Sequence, residues 1–583
     1  MKQPLPYWFL CLPLALLSWS CSEKKATPSR KALNEMNLKA GKVIICGLPD
    51  AQFGTVRFPI ACPGPAQESF GLGLKLLHSF EYEEAEKVFA GIIRTQPTCA
   101  MAYWGVAMSN FHPLWAPPTE AELQKGAKAV AIARALPQLP AREADYLATI
   151  AAFYQDWPTV DHRTRCLRFE QATEQLAQKY PDDKEATVFY ALALTAAAAP
   201  TDTTFTKQKK AGRILAALYP DNLNHPGIVH YLIHAYDTPT LAVRALPAAR
   251  RYAAVAPSSA HAQHMPSHIF TRLGLWTENI ESNLASVAAA QCYAQQAGIK
   301  GHWDEELHGL DYLMYAYLQK GENRLARQQW DYLQTIQQVE PLTFKVAYSF
   351  AAIPARYLLE NRNWPEAATL QSHATDFPWE KFPWQKAIIH FARLMGAAHT
   401  HNRPAAQAEV QELRRLQALL LQQKDAYKAT QVEIQLTSGL AWLDMQDGKP
   451  EQALRRMRAA ADLEDRTEKP PVTPGEVLPA RELLGDMLLQ LHRPNEALAA
   501  YEEDLRRHPN RFNGLYGAGL AAGQIGNEAK ANRYYQQLLT QASGSTRPEL
   551  SAARRFLAVH SQPTAASDSP VRYTSYAAHP ASR

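Results

Sequence analysis

The chain runs to 583 residues, 46% of them hydrophobic and 20% charged, which supplies ample apolar material for a buried core and suggests several domains or one long repeat array. Its 61 basic and 56 acidic residues nearly cancel to a formal charge of +5, with no long single-sign run. That balance excludes the strongly basic face that nucleic-acid binding requires.

Lys2 precedes an apolar run over 7–17, too short to cross a bilayer as a helix, and small residues then lead to Cys21 and the polar stretch SEKKATPSRK. Residues 1–21 resemble a bacterial lipoprotein signal, although Ser18, Trp19 and Ser20 depart from the usual lipobox. The resemblance implies lipidation at Cys21 and a protein anchored at the cell envelope, facing the periplasm or the cell surface. Ordinary secretion with cleavage near the same place is the alternative. Export makes disulfides available to Cys46, Cys62, Cys99, Cys166 and Cys292. VIIC and FGTVRFPIAC read as two short strands around a turn, so 22–64 is expected to be an irregular or β segment in which Cys46 and Cys62 can pair. Isolated buried thiols are the alternative for that pair and the expectation for the other three. No CxxC spacing occurs, which excludes a zinc ribbon or a thioredoxin-type site.

From residue 66 onward the pattern is helical, with short Pro, Gly and Asn breaks. Helices are expected over 66–80, 82–96, 99–110, 120–135, 141–154, 162–180, 184–197, 206–219, 226–236, 241–255, 260–273, 276–296, 305–319 and 322–339. Five more pairs fit in 344–542, and 548–560 reads as a closing helix. The tail 561–583, rich in Ser, Pro, Ala and Thr, has the composition of a disordered segment. Internal repetition is plain near the C-terminus, where Leu484, Gly485, Ala497, Tyr501 and Pro509 are followed by Gly519, Ala531 and Tyr535 at a fixed shift. An early unit, Leu72, Gly73, Ala85, Phe89 and Pro97, keeps the same internal spacing.

These residues resemble the tetratricopeptide repeat: small residues where two antiparallel helices cross, an aromatic that fills the gap, and a proline that ends the pair. The resemblance implies an all-α, right-handed superhelical solenoid of helix pairs, with an N-terminal array over 65–340 and a C-terminal one over 341–560. HYLIHAYD and HAQHMPSHIFTRLGLW also resemble exported bacterial repeat lipoproteins of this type, which implies no activity. In the family the first helix of each pair lines the concave face, and the residue twelve before the small residue of the second helix packs against that helix. Counting back from Ala245 makes Ile233 the packed residue and turns His230, His234 and Asp237 toward the groove. The same count from Ala326 turns His308, Asp311 and Tyr315 inward, and from Ala367 it turns Arg356 inward. Aligning Gly274 with Gly321 places His261, His264, His268 and Arg272 in the same trough, with Pro266 in HMPSH a possible helix start or kink.

Six histidines and two aspartates are thus expected to share one concavity. His at i and i+4, in His230/His234 and again in His264/His268, is the spacing at which two imidazoles share a divalent transition metal. His230, His234, His264, His268 and His308 are the candidate ligands, for zinc, iron or manganese. HYLIH is not a zincin signature, because Tyr231 stands where HExxH needs its glutamate. A hydrolytic base would have to come from Asp237, Asp311, Glu305 or Glu306. Against this stands a polar groove for a protein, peptide or small polar ligand, with Arg272 and Arg356 attracting carboxylate or phosphate groups. A third alternative makes the histidines hydrogen-bonding posts between helices.

YWGVAMSNFHPLW reads as core packing, and LEDRTEKPPVTPGE as a loop between repeat pairs with no function of its own. No GxSxG, P-loop or GxGxxG is present, so serine-hydrolase and nucleotide chemistry lack support. The expectation is an exported, lipid-anchored repeat scaffold that binds a protein or peptide partner and is not an enzyme. The alternative is a metal-binding protein or metal-dependent hydrolase with its site in the groove.

Overall fold

The computed structural model describes Met1 and residues 27–46, 53–62, 64–114, 117–137, 139–199, 202–373, 376–467 and 472–560. The lipoprotein-type segment with Cys21, and the tail 561–583, lie outside the described residues. The described chain is an all-α solenoid of antiparallel helix pairs, from Gly64–His78 packed on Tyr82–Thr95 to Phe512–Gln524 packed on Glu528–Gln541. All five pairs expected in 344–542 form, and Pro548–His560 closes the array. No described helix is long and apolar enough to cross a membrane.

The repeat residues do the packing that their spacing predicts. A Cβ at Gly73 would lie 2.7 Å from the Phe89 ring, at Gly485 2.7 Å from Tyr501, and at Gly519 2.6 Å from Tyr535. Only glycine lets the aromatic of the second helix seat against the first. Pro266 lacks an amide proton, and the span 260–273 divides there into Ala260–His264 and Pro266–Leu273.

Two expectations need correction. No strand forms in the described part of 22–64; that segment lies along the first hairpins, and side-chain carboxylates take several of its amides. Ile44 N donates to Glu84, Lys39 N to Glu86 and Ala61 N to Glu143. The two strands present, His302–Trp303 and Val339–Glu340, are a parallel pair far along the chain. Nor does Cys46 pair with Cys62: the disulfides are Cys46–Cys292 and Cys62–Cys99, and Cys166 alone is a free, buried thiol among the described cysteines. Running along the helices instead of folding into a hairpin carries Cys46 to the Trp276–Ala297 helix.

The apolar core of the described residues falls into two large bodies, one from Met36 to Phe270 and one from Leu307 to Ala553, with a small cluster of Trp276, Tyr315 and Ala316 besides. The C-terminal pairs curl back onto the middle of the chain. Trp276 Nε1 donates to Asn510 O at 2.8 Å, Asn510 Nδ2 to Gly274 O at 3.1 Å, and Ser545 Oγ to Gly321 O at 2.8 Å. Arg511, fully buried, fastens this closure: its guanidinium donates to Glu482 at 2.8 Å, Glu360 at 2.7 Å and the Tyr315 hydroxyl at 3.0 Å.

Removing one partner from such a buried ionic group leaves uncompensated charges, so Arg511→Ala should cost about 3–5 kcal/mol in denaturant unfolding. A loss under about 1 kcal/mol would show that the closure does not depend on it. Mass mapping of unreduced peptides should return Cys46–Cys292 and Cys62–Cys99, and a Cys46–Cys62 peptide would contradict the fold at its N-terminus.

Candidate metal centre

His225 begins the central element: its Nδ1 accepts from Ile228 N at 3.2 Å and caps the Pro226–Tyr236 helix. One helical face then carries His230 and His234, while Tyr231 and Ile233 turn into the hairpin packing, as the spacing predicts. Ala260–His264 and Pro266–Leu273 bring His261, His264 and His268, and Asp304–Gln319 brings His308. All six rings are buried; the most exposed, His234, shows 9% of its surface.

They form two trios. In the first, His230 Nε2 lies 3.0 Å from His234 Nε2 and 3.2 Å from His261 Nε2. In the second, His264 Nε2 lies 3.1 Å from His268 Nε2, and the His308 ring centroid is 4.2 Å from that of His264. Within each trio one nitrogen per ring falls within 4.8 Å of the other two. His261, expected only as a groove residue, joins the first trio, so the structure gathers the five candidate ligands and adds a sixth.

The proton positions decide what these contacts mean. His230 Nδ1 donates to His78 O at 2.7 Å, a carbonyl at a helix C-terminus that can only accept. His268 Nδ1 donates to Asp237 Oδ2 at 3.0 Å, whose other oxygen takes Arg272 Nε at 2.9 Å. His264 Nδ1 meets Asn283 Oδ1 at 2.7 Å; the Asn283 amide donates to Asn279 O at 2.9 Å, which fixes its oxygen toward the ring. In a neutral imidazole the second nitrogen is then a lone pair. His264 and His268 therefore face each other lone pair to lone pair, and His230 offers one lone pair to two neighbours. Between His264 and His268 either an extra proton or a cation must lie, whereas in the first trio Nε2–H of His234 or His261 can donate to His230; an outward Nδ1–H held by a carbonyl or carboxylate is how metal-ligating imidazoles are oriented.

Burial disfavours the proton at five of the six rings. It holds His230 down to about 3, and His234, His261, His264 and His308 well below the usual imidazole range. An aromatic ring sits against each trio. Phe80, at a left-handed φ of 59°, lies edge-on to His230 at 4.4 Å and stacks on His234 at 5.5 Å. Tyr312 stacks on His268 at 5.2 Å and stands edge-on to His264 at 4.7 Å.

A third cluster, His78, Glu185 and His225, reads differently although it too has ligand spacing. Both imidazoles can donate Nε2–H to Glu185, at 3.0 Å and 2.6 Å, while their Nδ1 atoms accept from Tyr231 OH and Ile228 N. Every proton there has an acceptor, so no cation is called for. His78, Glu185, Phe80 and Asn283 carried no sequence signal, because each comes from another element and lies outside the histidine pattern.

The remaining predicted groove residues face inward, but the trough is not open. Segment 472–478 of the loop read as featureless lies in it: Arg356, fully buried, donates to Glu476 O at 2.7 Å and Tyr348 OH to Gly475 O at 3.2 Å. Tyr312 OH reaches Val472 O at 3.1 Å. Arg272 is spent on Asp237, and the Arg356 guanidinium lies 4.5 Å over the Tyr315 ring. Both arginines expected in the groove are thus engaged within the chain, Arg272 by Asp237 and Arg356 by the 472–478 segment. Of the four acids weighed as a base, Glu305 is paired with Lys345, Glu306 with Tyr332 and Asp237 with Arg272. Asp311 alone keeps a buried oxygen without a hydrogen-bond partner; burial lifts its carboxyl to about 6, with Arg356, 3.9 Å away, pulling the other way.

No family model matches the chain, and no curated protein is significantly similar to it. Among solved structures it is similar to a human IFIT1 dimer with PPP-AAAA, at 12% identity over 80% of this chain and 95% of that one, with a TM-score of 0.32. It is also similar to the P58(IPK) TPR domain, at 13% identity over 86% and 100% with a TM-score of 0.20, and to Naa15/Naa10 bound to HypK-THB, at 11% over 85% and 77% with a TM-score of 0.23. Scores this low carry no argument about ligands or partners.

The buried imidazoles set a pH dependence for metal-stripped protein. Below about pH 6.5 the unfolded chain takes up protons that the folded trios refuse, so stability is full above that pH and falls toward pH 3, by about 1.4 kcal/mol per unit for each imidazole. Melting temperatures at pH 7, 6 and 5 should therefore drop more steeply for the wild type than for His234→Gln. Parallel curves would mean that His234 titrates freely in the fold.

Proposed function

We propose that the protein is a transition-metal-binding repeat protein whose superhelix encloses two three-histidine sites, His230/His234/His261 and His264/His268/His308. The observation that carries this reading is the 3.1 Å approach of His264 Nε2 to His268 Nε2, with the Asn283 and Asp237 oxygens facing both Nδ1 atoms. A metal bound at roughly 2.0–2.1 Å from each imidazole nitrogen turns that approach into ligation. Three neutral nitrogens per ion and no carboxylate suit zinc, copper, nickel or iron(II) better than magnesium, calcium or manganese.

The test is elemental analysis of protein purified without an affinity tag, with metal titrated into chelator-treated samples. Two equivalents per chain are expected, falling to one in His234→Ala and to one in His268→Ala. Metal-free protein whose melting temperature ignores both metal and chelator would overturn the proposal. Asp237→Asn should weaken binding at the second trio about 10- to 100-fold by loosening His268.

We also propose that the protein is exported and lipid-anchored through Cys21. The two disulfides support this, since such bonds persist in oxidising compartments. Cys21→Ala should move the protein from the membrane fraction to the soluble one; unchanged partitioning would count against the anchor.

A further inference from the structure

The two trios are neighbours. His261 and His264 stand one turn apart on one helix, a spacing that puts Cβ atoms about 5–6 Å from each other. Asp237 ends the helix that carries His230 and His234, yet its carboxylate orients His268 of the other trio. The two sites are therefore adjacent in the buried centre of the fold.

The charge balance of that centre is unusual for a metal pair. Neither trio includes a carboxylate. Asp237 is matched by Arg272 at 2.9 Å, and Asp311 faces Arg356 at 3.9 Å. Glu81 accepts from Ser259 Oγ at 2.6 Å. The Lys345 ammonium is itself matched, by Asp304 at 2.9 Å and by Glu305 at 2.5 Å. Two bare divalent ions would place four positive charges among neutral nitrogens shielded by Phe80 and Tyr312, a burial that is costly without compensating anions. The ligand set fits either two monovalent ions or two divalent ions with a doubly charged anion between them, and copper is the imidazole-binding metal for which both forms exist.

Building on the metal reading above, we propose that the two trios hold a pair of copper ions, bound as Cu(I), that takes up dioxygen between them. Each Cu(I) gives up one electron and becomes Cu(II). The two electrons enter dioxygen, which becomes a peroxide dianion bridging the two ions; one oxygen–oxygen bond remains, copper–oxygen bonds form at both ions and no proton moves. The centre carries the same net charge before and after, so its arginines and lysine need not move.

The experiment loads chelator-treated, full-length protein with Cu(I) under anaerobic conditions, counts copper, then admits air and follows near-ultraviolet absorption and electron paramagnetic resonance. A parallel sample receives Zn(II). Two copper ions per chain are expected, with a peroxide-to-copper absorption band and no paramagnetic signal, because the two Cu(II) spins couple. The double variant His234→Gln/His261→Gln should hold one copper that gives an ordinary Cu(II) signal after oxidation, as should His264→Gln/His308→Gln. Circular dichroism checks that both variants fold, and the wild-type counts decide the matter if they do not. One copper per chain, or two independent Cu(II) signals in the wild type, would overturn the pair. Stoichiometric zinc without copper would overturn the copper assignment and leave the metal reading standing, while neither metal binding would end both.

Discussion

Imidazole has two nitrogens and, when neutral, one proton; everything distinctive about this protein follows from where that proton is sent. Three acceptors from three elements, the His78 carbonyl, the Asp237 carboxylate and the Asn283 amide oxygen, draw the Nδ1 protons of His230, His268 and His264 outward. What remains inside are the Nε2 lone pairs of those three rings, two of them, His264 and His268, 3.1 Å apart. The third cluster supplies the contrast within the same molecule. Where a carboxylate is available, as Glu185 is to His78 and His225, the same residue type makes a closed hydrogen-bond network.

The fold supplies the convergence. A helix pair alone presents at most two or three side chains to its concave side; stacking three pairs with a small rotation between them aims six at one hollow. Pro266 contributes by breaking the middle helix. Ala260–His264 turns His261 toward the first trio, and Pro266–Leu273 carries His268 to the second. The closure fastened by Arg511, together with segment 472–478, packs the C-terminal pairs against the middle of the chain.

Much of this was legible before any coordinates. Helix positions, the five C-terminal pairs and the inward facing of all six histidines are encoded locally, by periodicity and by the fixed offset between a small residue and its packed partner. Gly73 with Phe89 and Gly485 with Tyr501 behave as their spacing requires. The missing parts are all long-range. Which acceptor meets His230 depends on how the first hairpin, more than a hundred residues earlier, lies across the centre. The closing of the groove sums rotations too small to leave a mark on any one repeat. Disulfide connectivity is not written in spacing at all, since four cysteines allow three pairings.

The disulfides are nested: Cys62–Cys99, separated by 37 residues, lies wholly inside Cys46–Cys292, separated by 246. During synthesis Cys46 meets Cys62 and Cys99 first, and its native partner follows after a delay on the order of 10–50 s at ordinary elongation rates. Consecutive oxidation in order of emergence would therefore link the wrong sulfurs. Because Cys292 sits on the helix that also supplies Asn283 to His264, a scrambled chain would misplace an orienting group of the buried centre, making a thiol–disulfide shuffling catalyst a precondition for assembling it.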